Sequence, residues 1–224
     1  MMKQIDKNTV SAKGQLKESE FVSFINAEGK GKRILFVGNS ITRHGVLPEI
    51  GWHNDWGMAA SHIEKDYVHI VVKEASKIFS DAVFCICQVA SWERGYKNGK
   101  DVLELYEGAR DFGADIIIMR CIENCPQDGF DHEEFSEQYK ILIDYLNASE
   151  KADVILTSGF WNHVGDVNIE RIARERGYKY KYLGDLGEDD SMKAIGLFEH
   201  SGVANHPGDK GMQKIADRII EVIL

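Results

Sequence analysis

Four short apolar runs, each followed by a stretch of helical periodicity, constrain this chain more than any other feature. They occupy residues 33–37 (Arg33-Ile34-Leu35-Phe36-Val37), 82–90, 115–121 and 153–158, with a weaker fifth run at 178–183. Most are nearly continuous and rich in β-branched residues, a pattern that suits strands buried on both faces. Between them the apolar spacing predicts helices over roughly 57–79, 100–112, 132–147, 166–176 and 208–223. Asp131 with Glu134 three residues on reads as a capping box for the third of these. Strand–helix alternation five times over implies a parallel sheet covered by helices on both faces. The expected fold class is therefore α/β: three layers, with a flavodoxin-like five-stranded parallel sheet.

Residues 1–30 are polar and read as an N-terminal arm, although Phe21-Val22-Ser23-Phe24-Ile25 suits an edge strand. Residues 31–224 then form one domain, a length that buries a sizeable core. The net charge of -9 argues against nucleic acid or an anionic membrane as partner. No apolar run reaches the ~18 residues of a membrane helix. The start, Met1-Met2-Lys3-Gln4-Ile5-Asp6, lacks the apolar core of a signal peptide, so a cytoplasmic location is expected unless a leader has been removed. Cys85 and Cys87 fall on one face of a strand, and Cys121 and Cys125 flank a strand end. Neither pair has zinc-site spacing, and all four read as buried reduced thiols.

In such a sheet the ligand site lies outside the carboxyl ends of the strands. Gly38-Asn39-Ser40 follows the first run, Glu123 and Asn124 follow the third, and Asn205-His206-Pro207-Gly208 precedes the last helix. A serine hydroxyl becomes a nucleophile when a base takes its proton, and acyl transfer needs donors for the oxyanion. Ser40, His206 and Asn124 supply these groups, with the Ser40 backbone N–H beside them. No Walker A loop, Gly-x-Gly-x-x-Gly or Gly-x-Ser-x-Gly sequence occurs, which argues against nucleotide enzymes and standard α/β-hydrolases.

The same residues resemble the blocks of the SGNH (GDSL-type) hydrolases. Gly38-Asn39-Ser40-Ile41-Thr42 resembles the first block, with Asn39 where the family often has Asp. Ile122-Glu123-Asn124 resembles the third, with Ile122 in place of the usual glycine. His206-Pro207, with Gly211 and Ile215-Ala216, resembles the last. The second block should place a glycine N–H in the oxyanion hole. Here Ala90-Ser91-Trp92-Glu93-Arg94-Gly95 stands in that place, and Ser91 or Trp92 is the candidate donor or substrate contact, with Glu123 a further contact. The resemblance implies an ester hydrolase that needs no metal or cofactor. It also implies an Asp three residues before the histidine, where this chain has Val203. Either the site is a Ser–His dyad oriented by a backbone carbonyl, or it borrows a carboxylate from Asp185, Glu199 or Glu123.

Trp52, Trp56, Trp92 and Trp161 all follow strands, so they are expected near the site face, where indoles suit stacking on sugar rings. The expected partner is a small-molecule or glycan ester, for example an O-acetylated sugar. A catalytically idle glycan-binding protein on the same fold is the alternative. A metal-assisted hydrolase using His44, His53 and Asp55 is a third reading, although their spacing matches no ligand signature.

Overall fold

The computed structural model describes residues 18–223. Its strands are β1 (Val22–Ile25), β2 (Arg33–Gly38), β3 (Val83–Gln88), β4 (Ile116–Arg120), β5 (Asp153–Thr157) and β6 (Lys179–Lys181). They form one sheet in the order β1-β3-β2-β4-β5-β6. The last five are parallel and follow the flavodoxin-like order. β1 pairs antiparallel with β3, so the sheet is six-stranded and mixed, one strand more than the expected parallel five. Residues 1–17 of the polar arm lie outside the described residues.

The helices are α1 (Tyr67–Ile78), α2 (Ala90–Arg94), α3 (Glu107–Phe112), α4 (His132–Leu146), α5 (Asp166–Arg176), α6 (Ser201–Ala204) and α7 (Asp209–Ile223). The two-residue period of the strands sorts the core. Leu35, Val37, Cys85, Cys87, Ile117 and Met119 face one layer, built from α2 to α5. Ile34, Phe36, Phe84, Ile86, Ile116 and Ile118 face the other, built from α1 and α7. Each such side chain, once buried, contributes on the order of 1.5–3 kcal/mol. The four cysteines are buried and unbridged. No helix among the described residues is long and apolar enough to cross a membrane.

Two element boundaries and one cap differ from the expected ones for local reasons. The helix expected over 57–79 starts only at Tyr67. Ala59 holds a positive φ of 73°, and buried Asp66 caps the helix by accepting from the His69 N–H at 2.7 Å. Residues 96–106 wind as 3-10 turns before α3 begins. At α4 the capping box is half made. Asp131 accepts from the N–H groups of Glu133 and Glu134, while the Glu134 carboxylate turns to Gln138 and the Asp131 N–H to the Tyr96 hydroxyl.

Candidate active site

Ser40 is carried on the turn that leaves β2. A Cβ at Gly38 would meet Thr42 Oγ1 at 1.9 Å, so the tight exit requires glycine. The Asn39 carbonyl accepts from the N–H groups of Thr42 and Arg43, and the Met58 N–H donates to the Ser40 carbonyl at 2.8 Å. The serine is thus fixed from both sides while its hydroxyl stays half-exposed.

His206 arrives from the far end of the chain, between α6 and α7. Its Nε2 lies 2.8 Å from Ser40 Oγ, and its Nδ1 lies 2.7 Å from the Gly202 carbonyl oxygen. A carbonyl only accepts, so Nδ1 carries the proton and Nε2 presents its lone pair to the serine O–H. Trp161 stands edge-on to the imidazole, with ring centroids 5.3 Å apart. Burial pushes the His206 pKa down to about 4. The Gly202 carbonyl and the Glu123 carboxylate oppose that shift, and His44 adds to it.

None of the three expected carboxylates bonds to the imidazole. Asp185 is exposed and grips Arg218 through both oxygens, which holds it below the usual carboxylate range. Glu199 is exposed beside a surface cavity between residues 48–51 and 197–200. Glu123 is engaged elsewhere. Val203 itself is buried with Trp52, Met58, Ala59 and Ala194. Among the described residues the partner of Nδ1 is therefore a main-chain carbonyl and not a carboxylate.

Behind the serine lies a buried polar network that sequence reasoning missed. Arg120, fully buried at the end of β4, donates to Glu123 and to the Asn39 side-chain oxygen, and its guanidinium lies 5.8 Å from the centre of the Tyr67 ring. Asn39 Nδ2 donates to Glu93 at 2.8 Å and to Glu123 at 2.6 Å. Glu123 also accepts from the Phe160 N–H at 2.9 Å. Asn124 Nδ2 donates to Glu93 at 2.6 Å. Arg120 pairs with one of the two carboxylates, Glu123, while Glu93 is held by the two amides. Arg120 and the surrounding donors hold Glu123 below its ordinary range, against its burial. Glu93 is pushed up, first by burial and then by the Glu123 charge. The one sequence signal for Glu93 was its place in the segment after the second parallel strand, on the side where sites form.

The second-block candidates separate. Ser91 is half-buried and lines a cavity of about 370 Å³ with Arg43, His44, Gln88 and Arg94. Trp92 does not face the site. Its indole is fully buried in the core against Phe135 and Tyr139, and its backbone N–H donates to the Tyr106 hydroxyl at 3.2 Å. Of the other tryptophans, Trp52 is also core, Trp56 is half-buried with its N–H on the Ala60 carbonyl, and Trp161 meets His206. His44 bonds the Gly45 carbonyl, Asp55 pairs with Arg43, and no group of three metal-binding side chains occurs among the described residues.

No protein-family model and no curated protein matches the chain. Solved structures do. A two-domain esterase active on acetylated mannans is 20% identical with a TM-score of 0.58, over 85% of this chain and 47% of its own. The chain thus spans about half the length of that esterase. The esterase EstA from Pseudoalteromonas sp. is 14% identical with a TM-score of 0.54, over 86% of this chain and 96% of its own. A lipolytic protein of the G-D-S-L family from Desulfitobacterium hafniense is 14% identical with a TM-score of 0.50, over 85% and 99%. Likeness at this level of identity concerns architecture, and on it the chain has the SGNH (G-D-S-L-type) hydrolase fold.

Proposed function

We propose that the chain is a serine ester hydrolase of SGNH type that works with a Ser–His dyad. The observation that carries this reading is the 2.8 Å hydrogen bond between Ser40 Oγ and His206 Nε2, joined to the 2.7 Å bond that fixes Nδ1 on the Gly202 carbonyl. Ser40 Oγ attacks the acyl carbonyl as Nε2 takes its proton. The oxyanion is held by the Ser40 backbone N–H and the Asn124 amide. The imidazolium then protonates the leaving alcohol, and water, activated by the same nitrogen, releases the acid. A neutral carbonyl orients the ring as an acid would, but stabilises the imidazolium less. In a Ser-His-Asp triad, loss of the acid's function costs about 10⁴ in turnover, so modest rates are expected.

The substrate is a carbohydrate-linked ester, such as an O-acetyl sugar. The similar two-domain esterase acts on acetylated mannans, and Trp161 puts an indole against the His206 imidazole. The low pKa of His206 and the valine at 203 favour a second reading, an idle glycan-binding protein.

Turnover of p-nitrophenyl acetate separates the two. The wild type should hydrolyse it, and Ser40→Ala should lose nearly all activity with little change in melting temperature. No turnover together with glycan binding would establish the second reading. The pH profile adds a check. His206 is a base only when neutral, and its pKa lies near 4. Activity should therefore hold its plateau well below pH 6.5 and fall with a midpoint near 4. An acid limb centred at 6–7 would contradict this environment for the base.

A further inference from the structure

Neither acid of the buried network hydrogen-bonds to the nucleophile or the base, and Glu93 is the one that holds Asn124. It sits fully buried in α2 and divides its two oxygens between two amides. Oε1 accepts from Asn39 Nδ2 at 2.8 Å and Oε2 from Asn124 Nδ2 at 2.6 Å. Asn39 immediately precedes Ser40, and Asn124 is the oxyanion donor of the reading above.

The two amides depend on Glu93 unequally. Asn39 is also held by Glu123, by Arg120 and by the Ile41 N–H, so its orientation is over-determined. The Asn124 side chain makes no other hydrogen bond among the described residues. Both Glu93 oxygens accept from amide N–H groups here, so the acid selects the nitrogen end of the Asn124 amide. It engages one amide hydrogen and leaves the second for another acceptor. Without Glu93 nothing in the network fixes which end of Asn124 points where.

Stability does not explain this acid. A buried carboxylate close enough to feel the Glu123 charge, with no ion pair of its own, is unfavourable relative to a neutral residue of the same shape. Groups held in such settings concentrate at functional sites.

We propose that Glu93 is a positioning residue for ester hydrolysis, acting through Asn124: its carboxylate fixes the amide so that one N–H stays directed at the oxyanion. The inference rests on the serine-esterase reading above.

The test compares wild type, Glu93→Gln, Asn124→Ala and the double variant on p-nitrophenyl acetate. Rates are normalised to active serine by titration with a p-nitrophenyl phosphonate. A glutamine keeps the shape but turns one acceptor into a donor facing an amide N–H. Glu93→Gln should lower kcat by about 10–10²-fold, up to the range of a lost oxyanion donor, with KM changed by less than about two-fold. Its melting temperature should not fall. In the Asn124→Ala background the same change should cost less than about two-fold, because residues acting as a unit are not additive. Wild-type kcat per titrated serine in Glu93→Gln would overturn the proposal, as would an equal loss in both backgrounds. If Glu93→Gln does not fold, Glu93→Asp replaces it. That variant keeps the charge but draws it back by one carbon, and a kcat equal to wild type would again overturn the proposal. A wild type that neither turns over ester nor reacts with the phosphonate removes the esterase reading itself. An active wild type with a silent Glu93 variant removes this inference alone.

Discussion

Val203 occupies the position from which a carboxylate would orient the base, and its neighbours account for the valine. Trp52, Met58, Ala59 and Ala194 enclose it, and it is 1% exposed. An aspartate there would lie among apolar groups, with no cation within the cluster. Val203→Asp should therefore destabilise the fold by about 3–5 kcal/mol, measured by urea unfolding, and should not raise kcat. A stable and faster variant would show that the loop can turn the new carboxylate onto His206. At this scale Ser40 and His206 were legible because their signals are local: a serine just past a strand, and a histidine in the loop before a helix. The Gly202 carbonyl was not legible, because every residue carries one. Glu93 was not legible either. Its partners lie 54 and 31 residues away, and only the folded chain brings them together. Trp92 was misjudged because the rule that sorts segments to the site face fixes the backbone and not the side chain. The first turn of α2 sends the indole inward.

Asn39 joins three elements at once. Its side chain ties the end of β2 to Arg120 of β4, to Glu93 of α2 and to Glu123 of the loop after β4. Both N–H donors of its amide are spent on carboxylates. Asn39→Asp would replace them with acceptors and gather three carboxylates around one guanidinium. It should cost about 2–4 kcal/mol near pH 8. The deficit against wild type should shrink as pH falls, because crowded carboxylates bind protons more tightly in the folded state than in the unfolded chain. Thermal melts of both proteins across pH 5–8 measure this, and equal stability at pH 8 would mean that the amide's donors matter little. The strands themselves were readable to within two residues at nearly every end, since a β-branched run buried on both faces has few alternatives. The starts of α4, α5 and α7 were as readable, and those of α1 and α3 were not. A positive φ at Ala59 and the cap at Asp66 interrupt a stretch whose composition alone suits a helix.

Over the whole molecule, β1 closes an edge that the parallel sheet would otherwise leave open. Val22–Ile25 pairs along β3 from Cys87 to Phe84, and Phe24 packs on Phe112 with ring centroids 5.8 Å apart. Removing residues 1–26 should expose β3 as a flat apolar edge, lower the melting temperature and promote association, visible by light scattering. A monomeric truncated chain of unchanged stability would assign the strand a decorative role. The hydrogen bond between Ser40 and His206 spans 166 residues of sequence. It forms only when α7 has docked beside α1 across the sheet, through Met212 and Ile215. The Ser40–His206 contact thus depends on the docking of α7 and not on the sheet alone. A fragment that stops before the loop carrying His206 and α7 holds the serine without its histidine. Supplying α7 and its preceding loop as a separate peptide would then switch the site on in trans.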